Sequence, residues 1–262
     1  MKLSGKVAIV TGSSRGIGKA IALTYAREGA DIVVAARTEV AKGELPGTIA
    51  ETAEAVRALG RRALAVRCNV GDEDDVDQMV RQTMDEFGRV DILVNNAAVG
   101  YYVPLMETPP KHWDLVMRVN VKGPYLCIRA VVPIMAAQGG GSIVNISSPA
   151  AENVYSKVQR EGGVRRPSGL LYGASKAALE RVTRGLAVEV VDRNIAVNAL
   201  KPTAPTASEG LKFWNRDADP DLWLSPDVYM TKAALFLAMQ DGRGVTGEVF
   251  DDQSLCQQYG LA

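Results

Sequence analysis

The sequence contains a single histidine, His112, and only three cysteines, Cys68, Cys127 and Cys256. One histidine leaves a Ser-His-Asp triad a single choice of base and gives a zinc site too few ligands. An odd number of widely spaced cysteines does not form a disulfide framework and is typical of a reducing compartment. The neighbours of His112 indicate a helix start, so we interpret it as an ordinary surface histidine.

The sequence has no net charge at neutral pH, because thirty lysines and arginines balance thirty aspartates and glutamates. Such a chain has no overall field to attract nucleic acid or an anionic membrane. The apolar run at 7–10 is too short for an export signal or a membrane span. The acidic run at 72–75 is better explained as the first turn of a helix than as a metal site. We therefore expect a cytoplasmic protein that binds no nucleic acid, membrane or metal.

Short apolar runs alternate along the chain with longer stretches of helical periodicity. Nearly continuous apolar runs are typical of strands buried on both faces of a parallel sheet. The predicted strands are 7–10, 31–35, 63–67, 92–94, 142–146, 195–200 and an edge strand within 245–250; the predicted helices are 18–29, 48–59, 74–87, 113–137, 172–191 and 226–239. This alternation predicts a single-domain α/β Rossmann fold over residues 1–262, a doubly wound parallel sheet with helices on both faces.

A glycine-rich loop follows the first predicted strand and opens the first helix. Gly12, Gly16 and Gly18 permit a tight turn and the close approach of a pyrophosphate to the helix N-terminus. The second predicted strand is followed by Arg37, near the position where many NAD-binding folds have an acid that binds the ribose hydroxyls. Arg37 and Arg15 instead suit a 2′-phosphate. We therefore predict NADP(H) in preference to NAD(H) as the cofactor.

Tyr172 and Lys176 are one helical turn apart, so both side chains lie on one face. A phenol has an unperturbed pKa of about 10, and a nearby ammonium lowers it by favouring the phenolate. The pair therefore suits proton transfer to or from an alcohol oxygen. Taken alone, the same spacing is also typical of a solvated helix face.

Together these motifs resemble the short-chain dehydrogenase/reductase family over nearly the whole chain. The matching motifs follow the family's order: Thr11 to Gly18, Asn95-Asn96-Ala97 after the fourth strand, Val119-Asn120-Val121, Ser147-Ser148 after the fifth strand, and Tyr172 to Lys176. The stretch at 198–202 is similar to a divergent branch of the family that includes hydroxysteroid dehydrogenase-like proteins.

The resemblance implies a role for each matching residue. Tyr172 is the expected general acid/base, Lys176 lowers its pKa and binds the nicotinamide ribose, and Ser148 holds the substrate carbonyl oxygen. Asn120 is expected to anchor a water that links Lys176 to solvent. The expected cofactor-binding residues are Gly12, Ser14, Arg15, Gly16, Ile17, Gly18, Arg37, Asn69, Val70, Asn96, Ala97, Tyr172, Lys176 and Pro202.

These roles imply an NADP(H)-dependent carbonyl reductase that interconverts a secondary alcohol and a ketone. Two alternatives stay open: an NADPH-binding sensor or scaffold without turnover, and a reductase of an activated C=C bond. The expected partners are a small-molecule carbonyl or alcohol substrate and further copies of the chain in a homotetramer or dimer. Thr11 and Asn95 are expected to brace the sheet.

The chain departs from the family pattern at three positions that are expected to face the cofactor. Asn69 stands where relatives often have an aspartate, and Thr203 follows Pro202 where relatives have a glycine. Pro205 lacks the N–H that would bind the nicotinamide amide if it holds that position.

Two segments lack a regular pattern: an insertion loop at 149–169 and a substrate lid at about 203–225. Basic side chains in the insertion bind an anionic substrate group or, in the simpler interpretation, lie in a solvated loop or a subunit contact. Aromatic side chains in the lid close over the substrate or contact another subunit. The residues concerned are Arg160, Arg165 and Arg166 in the insertion, and Phe213, Trp214 and Trp223 in the lid.

Overall fold

The computed structural model describes residues 1–41, 46–152, 169–209 and 223–261. Its strands are β1 Val7–Thr11, β2 Asp31–Ala36, β3 Ala63–Arg67, β4 Ile92–Asn95, β5 Gly141–Ile146, β6 Ile195–Lys201 and β7 Val249–Asp251. Its helices are α1 Gly16–Arg27, α2 Ile49–Ala58, α3 Glu73–Phe87, α4 Pro110–Met117, α5 Gly123–Ala137, α6 Leu170–Val190, α7 Met230–Ala238 and α8 Asp252–Gln258. The strands form one seven-stranded parallel sheet in the order β3-β2-β1-β4-β5-β6-β7.

Alternate strand residues point to opposite sides of the sheet, and helices bury both sides. Val10 and Val34 pack with α1, α7 and α8 on one face. Ile9 and Val33 pack with α3 and α5 on the other. The predicted doubly wound fold is therefore confirmed. Among the described residues, no helix is both long and apolar enough to cross a membrane.

The strand order reverses between β1 and β4, which lie side by side although they are not consecutive in the chain. Ligands of such sheets bind beyond the carboxyl ends of the strands at this switch point. The Thr11 hydroxyl donates to the carbonyl of Val94 at 3.2 Å, and Asn95 donates from Nδ2 to Oδ1 of Asn145 at 2.9 Å. Thr11 and Asn95 thus join neighbouring strands, as the sequence predicted.

The helix predicted over 113–137 is present, but it is not regular throughout. Residues Arg118–Lys122 form a π-helical turn between α4 and α5. Pro124 follows in the first turn of α5, where a residue without an N–H cannot continue the preceding ladder of hydrogen bonds. The wider turn contains Asn120, and such turns occur frequently at functional sites.

Two other boundaries also differ from prediction. A hydrogen bond from Thr231 N to Pro226 O at 3.1 Å closes a wide turn after Ser225, so α7 begins at Met230 instead of residue 226. The predicted edge strand within 245–250 is reduced to β7, because Gly247 has a φ of +83° that interrupts an extended chain.

Candidate active site

The carboxyl ends of the central strands open on a cavity of about 390 Å³. Pockets for small ligands have volumes of roughly 300–1,000 Å³. Nearly all the predicted cofactor-binding residues line it: Gly12, Ser14, Arg15, Gly16, Ile17, Arg37, Asn69, Val70, Asn96, Ala97, Tyr172, Lys176 and Pro202. Ser148 lines the same cavity, whereas Gly18 and Asn120 lie behind its wall.

The glycine loop is held tightly against the end of β4. Gly12 has a φ of +66°, and a Cβ there would lie 2.8 Å from the Cα of Ala97. The Asn96 side chain donates from Nδ2 to the carbonyls of Thr11 at 2.9 Å and Gly12 at 3.1 Å. Only glycine combines this backbone conformation with so close an approach, and the result is a fixed loop at the N-terminus of α1.

Gly18 contributes packing behind the loop. A Cβ on Gly18 would lie 2.4 Å from Nδ2 of Asn96 and 2.7 Å from the carbonyl oxygen of Gly12. We expect Gly18→Ala to lower the free energy of unfolding by about 1–3 kcal/mol, the usual cost of overpacking. Urea denaturation of the two proteins measures the difference.

Gly185→Ala in α6 is the matched control for this substitution. Its Cβ would meet only the flexible end of Arg181. Alanine favours a helix interior over glycine by about 1 kcal/mol, so Gly185→Ala should leave stability equal or higher. Equal effects of the two substitutions would contradict the packing role of Gly18.

Two arginines lie where the β1–β2 side of the sheet meets the cavity. Arg15 donates from Nη2 to the carbonyl of Gly47 at 2.8 Å, while its buried Nε has no partner among the described residues. Arg37 is exposed and lines the cavity. A buried donor without a partner is costly, so the Arg15 Nε fits a ligand that brings an acceptor to this place.

Asn69 lies at the end of β3 in a turn that its own side chain closes. Its Oδ1 accepts from the Gly71 N–H at 3.3 Å, and its backbone N–H donates to Asp75 at 2.8 Å. An amide oxygen has a second lone pair, so Asn69 can still accept from a ligand. Burial raises the pKa of the adjacent Cys68 thiol to about 12, helped by Asp75 and Asp72. The Cys68 thiol is therefore protonated at neutral pH, which makes it a poor nucleophile.

Tyr172 and Lys176 face the cavity from the first half of α6. Lys176 is only 2% exposed, and its Nζ donates to the carbonyl of Ile146 at 2.6 Å. The Nζ lies 5.7 Å from the centre of the Tyr172 ring. Burial lowers the pKa of Lys176 to about 8, and the carboxylate of Glu180 offsets part of that shift. The structure thus brings the cation and the phenol together.

Ser148 is fixed by the short 3₁₀ turn Pro149–Glu152 that follows it. Its Oγ accepts from the Ala150 N–H at 3.2 Å, and a hydroxyl that accepts there can still donate its hydrogen. A Cβ on Gly173 would lie 2.5 Å from the Ala150 carbonyl oxygen. This close approach ties Ser148 to the helix that carries Tyr172.

Asn120 is fully buried, and every polar atom of its side chain has a partner. Its Oδ1 accepts from the Val99 N–H at 2.9 Å. Its Nδ2 donates to the Val99 carbonyl at 2.9 Å and to the Ser175 hydroxyl at 3.0 Å. Asn120 therefore joins the loop after β4 to α6, and each polar atom of its side chain already has a protein partner.

Known proteins are similar to this chain in sequence over most of its length. Residues 6–218 match the family described as short chain dehydrogenase. The chain belongs to the short-chain dehydrogenase/reductase family. An uncharacterized oxidoreductase of Thermotoga maritima is 41% identical over 80% of this chain and 76% of its own. Hydroxysteroid dehydrogenase-like protein 2 of Bos taurus is 34% identical over 99% of this chain, which spans 59% of that relative's length.

A solved structure of a metagenomic short-chain oxidoreductase in complex with NADP has the same fold. Its TM-score to this chain is 0.76 and its sequence identity is 30%, over 96% of this chain and 98% of that one. The chain thus belongs to a family of oxidoreductases that bind nicotinamide cofactors.

Sequence reasoning missed Glu180 of this short-chain dehydrogenase/reductase. Its carboxylate is 7% exposed and accepts from the Ser147 hydroxyl at 2.6 Å. The residue lies one helical turn after Lys176, so the spacing that identified Tyr172 and Lys176 also contains it.

A charged cluster at the carboxyl ends of β6 and β7 was also missed. The buried ammonium of Lys201 contacts the carboxylate of Glu152 and lies 3.9 Å from Asp251. Oδ1 of Asp252 accepts from the N–H and the hydroxyl of Thr203, both at 2.8 Å. Asp252 thus explains how a threonine is held where the family has a glycine. Neither contact has a signal in the sequence, because the partners are 49 residues apart.

The loop after β4 brings aromatic side chains to the substrate end of the cavity. The rings of Tyr102 and Tyr172 are 5.4 Å apart. His112 is partly buried and stacks on Tyr101 at 4.0 Å. His112 lies in the first turn of α4, as predicted, but its ring is partly buried by this stacking.

Most of the two irregular segments lie outside the described residues. This holds for Arg160, Arg165 and Arg166 of the insertion loop and for Phe213 and Trp214 of the lid. Pro205, which the structure does describe, accepts from the Leu224 N–H at 3.0 Å and does not line the cavity. Because Pro205 does not line the cavity, its lack of an N–H removes no hydrogen-bond donor from the cavity wall.

Proposed function

We propose that this protein is an NADP(H)-dependent oxidoreductase that interconverts a secondary alcohol and a ketone. One observation carries the proposal: Tyr172, Lys176 and Ser148 line the same cavity as the glycine loop and the two arginines. A proton donor, a cation, a carbonyl-binding hydroxyl and an anion-binding loop are the parts that this reaction requires.

The residues of the cavity fit a nicotinamide dinucleotide. Gly12 and Gly16 would receive the pyrophosphate at the N-terminus of α1, where the helix dipole favours an anion. Arg37 and the unpaired Nε of Arg15 would bind the 2′-phosphate. Lys176 would bind the nicotinamide ribose. The bound cofactor would supply or accept the hydride.

The chain's own residues would handle the substrate oxygen and its proton. Ser148 would donate a hydrogen bond to the carbonyl oxygen and polarise it. Tyr172 would give its hydroxyl proton to that oxygen during reduction and take it back during oxidation. The Lys176 ammonium would stabilise the tyrosinate that reduction leaves behind, since an opposite charge nearby favours the ionised form.

Asn120 would hold the predicted water through its backbone. Its side chain is fully engaged with Val99 and Ser175. We propose that any water linking Lys176 to solvent is held by the Asn120 backbone within the π-helical turn.

The substrate lid, the cytoplasmic location and the assembly into a homotetramer or dimer stay predictions.

A parallel screen of ketones and alcohols with NADPH and NADH tests the function. Oxidation of NADPH with formation of a secondary alcohol would support it. Product analysis separates carbonyl reduction from reduction of a C=C bond. Binding of NADPH without turnover across a broad carbonyl panel would favour the sensor or scaffold and overturn the proposal.

Replacement of Arg37 by alanine tests the cofactor preference. A hydrogen bond to a charged group contributes about 1.5–3 kcal/mol, so we expect the Kd of NADPH to rise about 10- to 100-fold. Fluorescence titration measures this directly. NADH serves as the matched control, because it lacks the 2′-phosphate and its Kd should change less than about twofold if the charge loss acts locally. An equal loss for both nucleotides would contradict the assignment.

A further inference from the structure

The carboxylate of Glu209 lies at the N-terminus of α1. The Gly16 N–H donates to its Oε2 at 2.8 Å, although the two residues are 193 positions apart in sequence. The preceding residue also comes close, since a Cβ on Gly16 would be 3.0 Å from the Cβ of Ser208. The segment after β6 therefore crosses directly over the glycine loop.

The start of α1 differs in its capping from the starts of α2 and α3. Thr48 caps α2, and Asp72 caps α3, which has three further acids in its first turn. In the described residues of α1, the first turn has no acid and the Arg15 side chain makes no capping bond. The free N–H groups of a helix start attract an anion. Glu209 provides that anion from a distant segment.

The same place belongs to the cofactor cavity, because Gly16 and Ser208 both line it. One N–H cannot donate a full hydrogen bond to two anions at once. A carboxylate that stays at this helix start would also repel a pyrophosphate arriving there. Cofactor binding must therefore displace the Glu209 carboxylate or work against its charge.

We propose that Glu209 competes with the phosphates of the dinucleotide and so limits the affinity of the protein for its cofactor. This inference rests on the proposed function, because it requires a nicotinamide dinucleotide in the cavity. It makes Glu209 the residue through which the segment after β6 responds to cofactor binding. Release of the carboxylate breaks its link to Gly16, while the hydrogen bonds of Pro205 and Ala207 to Leu224 can remain.

The test compares the wild-type protein with Glu209→Gln and Glu209→Lys. Removing one competing charge-assisted hydrogen bond should lower the Kd of NADPH about 10-fold in Glu209→Gln. Glu209→Lys should bind at least as tightly as Glu209→Gln, because an ammonium attracts the phosphates. Fluorescence titration gives the Kd of NADPH and of NADH, and both should fall, since both contain the pyrophosphate.

Glu189→Gln is the matched control. It removes the same charge from an exposed position near the end of α6 that does not line the cavity. Its Kd values should equal those of the wild type. Thermal denaturation gives a second readout. Without cofactor, Glu209→Gln should have a lower Tm than the wild type. Addition of NADPH should raise the Tm of Glu209→Gln by more than that of the wild type.

The outcomes separate the two proposals. Equal Kd values for wild type and Glu209→Gln, or weaker binding by Glu209→Gln, would overturn the competition and leave the proposed function standing. Failure of all four proteins to bind either nucleotide would overturn both. Tighter binding by Glu209→Gln and Glu209→Lys, with Glu189→Gln unchanged, would support the competition.

Discussion

Tyr172→Phe is expected to lower kcat for ketone reduction about 10²- to 10⁴-fold, the range that a positioned general acid contributes. The substitution removes one oxygen and keeps the ring that packs near Tyr102 and Lys176. Lys176 would still hold its hydrogen bond to Ile146 at 2.6 Å. Steady-state kinetics with NADPH and an accepted ketone measure the loss.

Two controls separate this chemical effect from misfolding. The Kd of NADPH should change little in Tyr172→Phe, because the glycine loop and the arginines are untouched. Tyr259→Phe removes a hydroxyl from a ring that packs on Phe236, away from the cavity, and should keep normal turnover. A Tyr172→Phe protein with wild-type kcat would remove the proposed acid/base.

Lys176→Met is expected to lower kcat/KM by about 100-fold or more, because Tyr172 loses the charge that stabilises its ionised form. The activity of the wild-type protein should depend on the charge of Lys176 in the same way when the pH is changed. The pKa of Lys176 is lowered to about 8 by burial, so the ammonium is lost as the pH rises through that value. The kcat/KM for ketone reduction should therefore fall above a pH of about 8.

Glu180→Gln tests the direction of this pH effect. The Glu180 carboxylate raises the pKa of Lys176 against the effect of burial. Its removal should move the alkaline fall of kcat/KM to lower pH, while a glutamine can still accept from the Ser147 hydroxyl. Glu189→Gln, which is exposed, should leave the profile unchanged. An unchanged profile in Glu180→Gln would show that Lys176 does not set the alkaline limb.

The strands and most of the cavity wall could be predicted because they depend on local patterns. Apolar runs such as Val7–Thr11 must be buried on both faces, and this alone places them inside a parallel sheet. Gly12 and Gly16 have positive φ, a requirement that sequence spacing reveals. Tyr172 and Lys176 share a helix face because of their spacing.

Features that depend on distant partners could not be predicted. The hydrogen bond of Glu209 to Gly16 and the contact of Lys201 with Glu152 join segments whose approach only the folded chain determines. The π-helical turn at Asn120 keeps a helical pattern in sequence while changing the geometry of its side chains. The start of α7 was misplaced because Ser225 and Pro226 form a turn that precedes the helix.

The burial of the Lys176 ammonium affects how the stability of the folded chain depends on pH. An unfolded chain holds the lysine proton up to a pH of about 10.4, whereas the folded chain releases it near 8. Between these values the unfolded chain binds more protons at this lysine, so the contribution of Lys176 to the free energy of unfolding rises with pH. The alkaline pH that reduces turnover thus relieves the energetic cost of this one buried charge, a cost that the folded chain bears at neutral pH to keep Lys176 protonated.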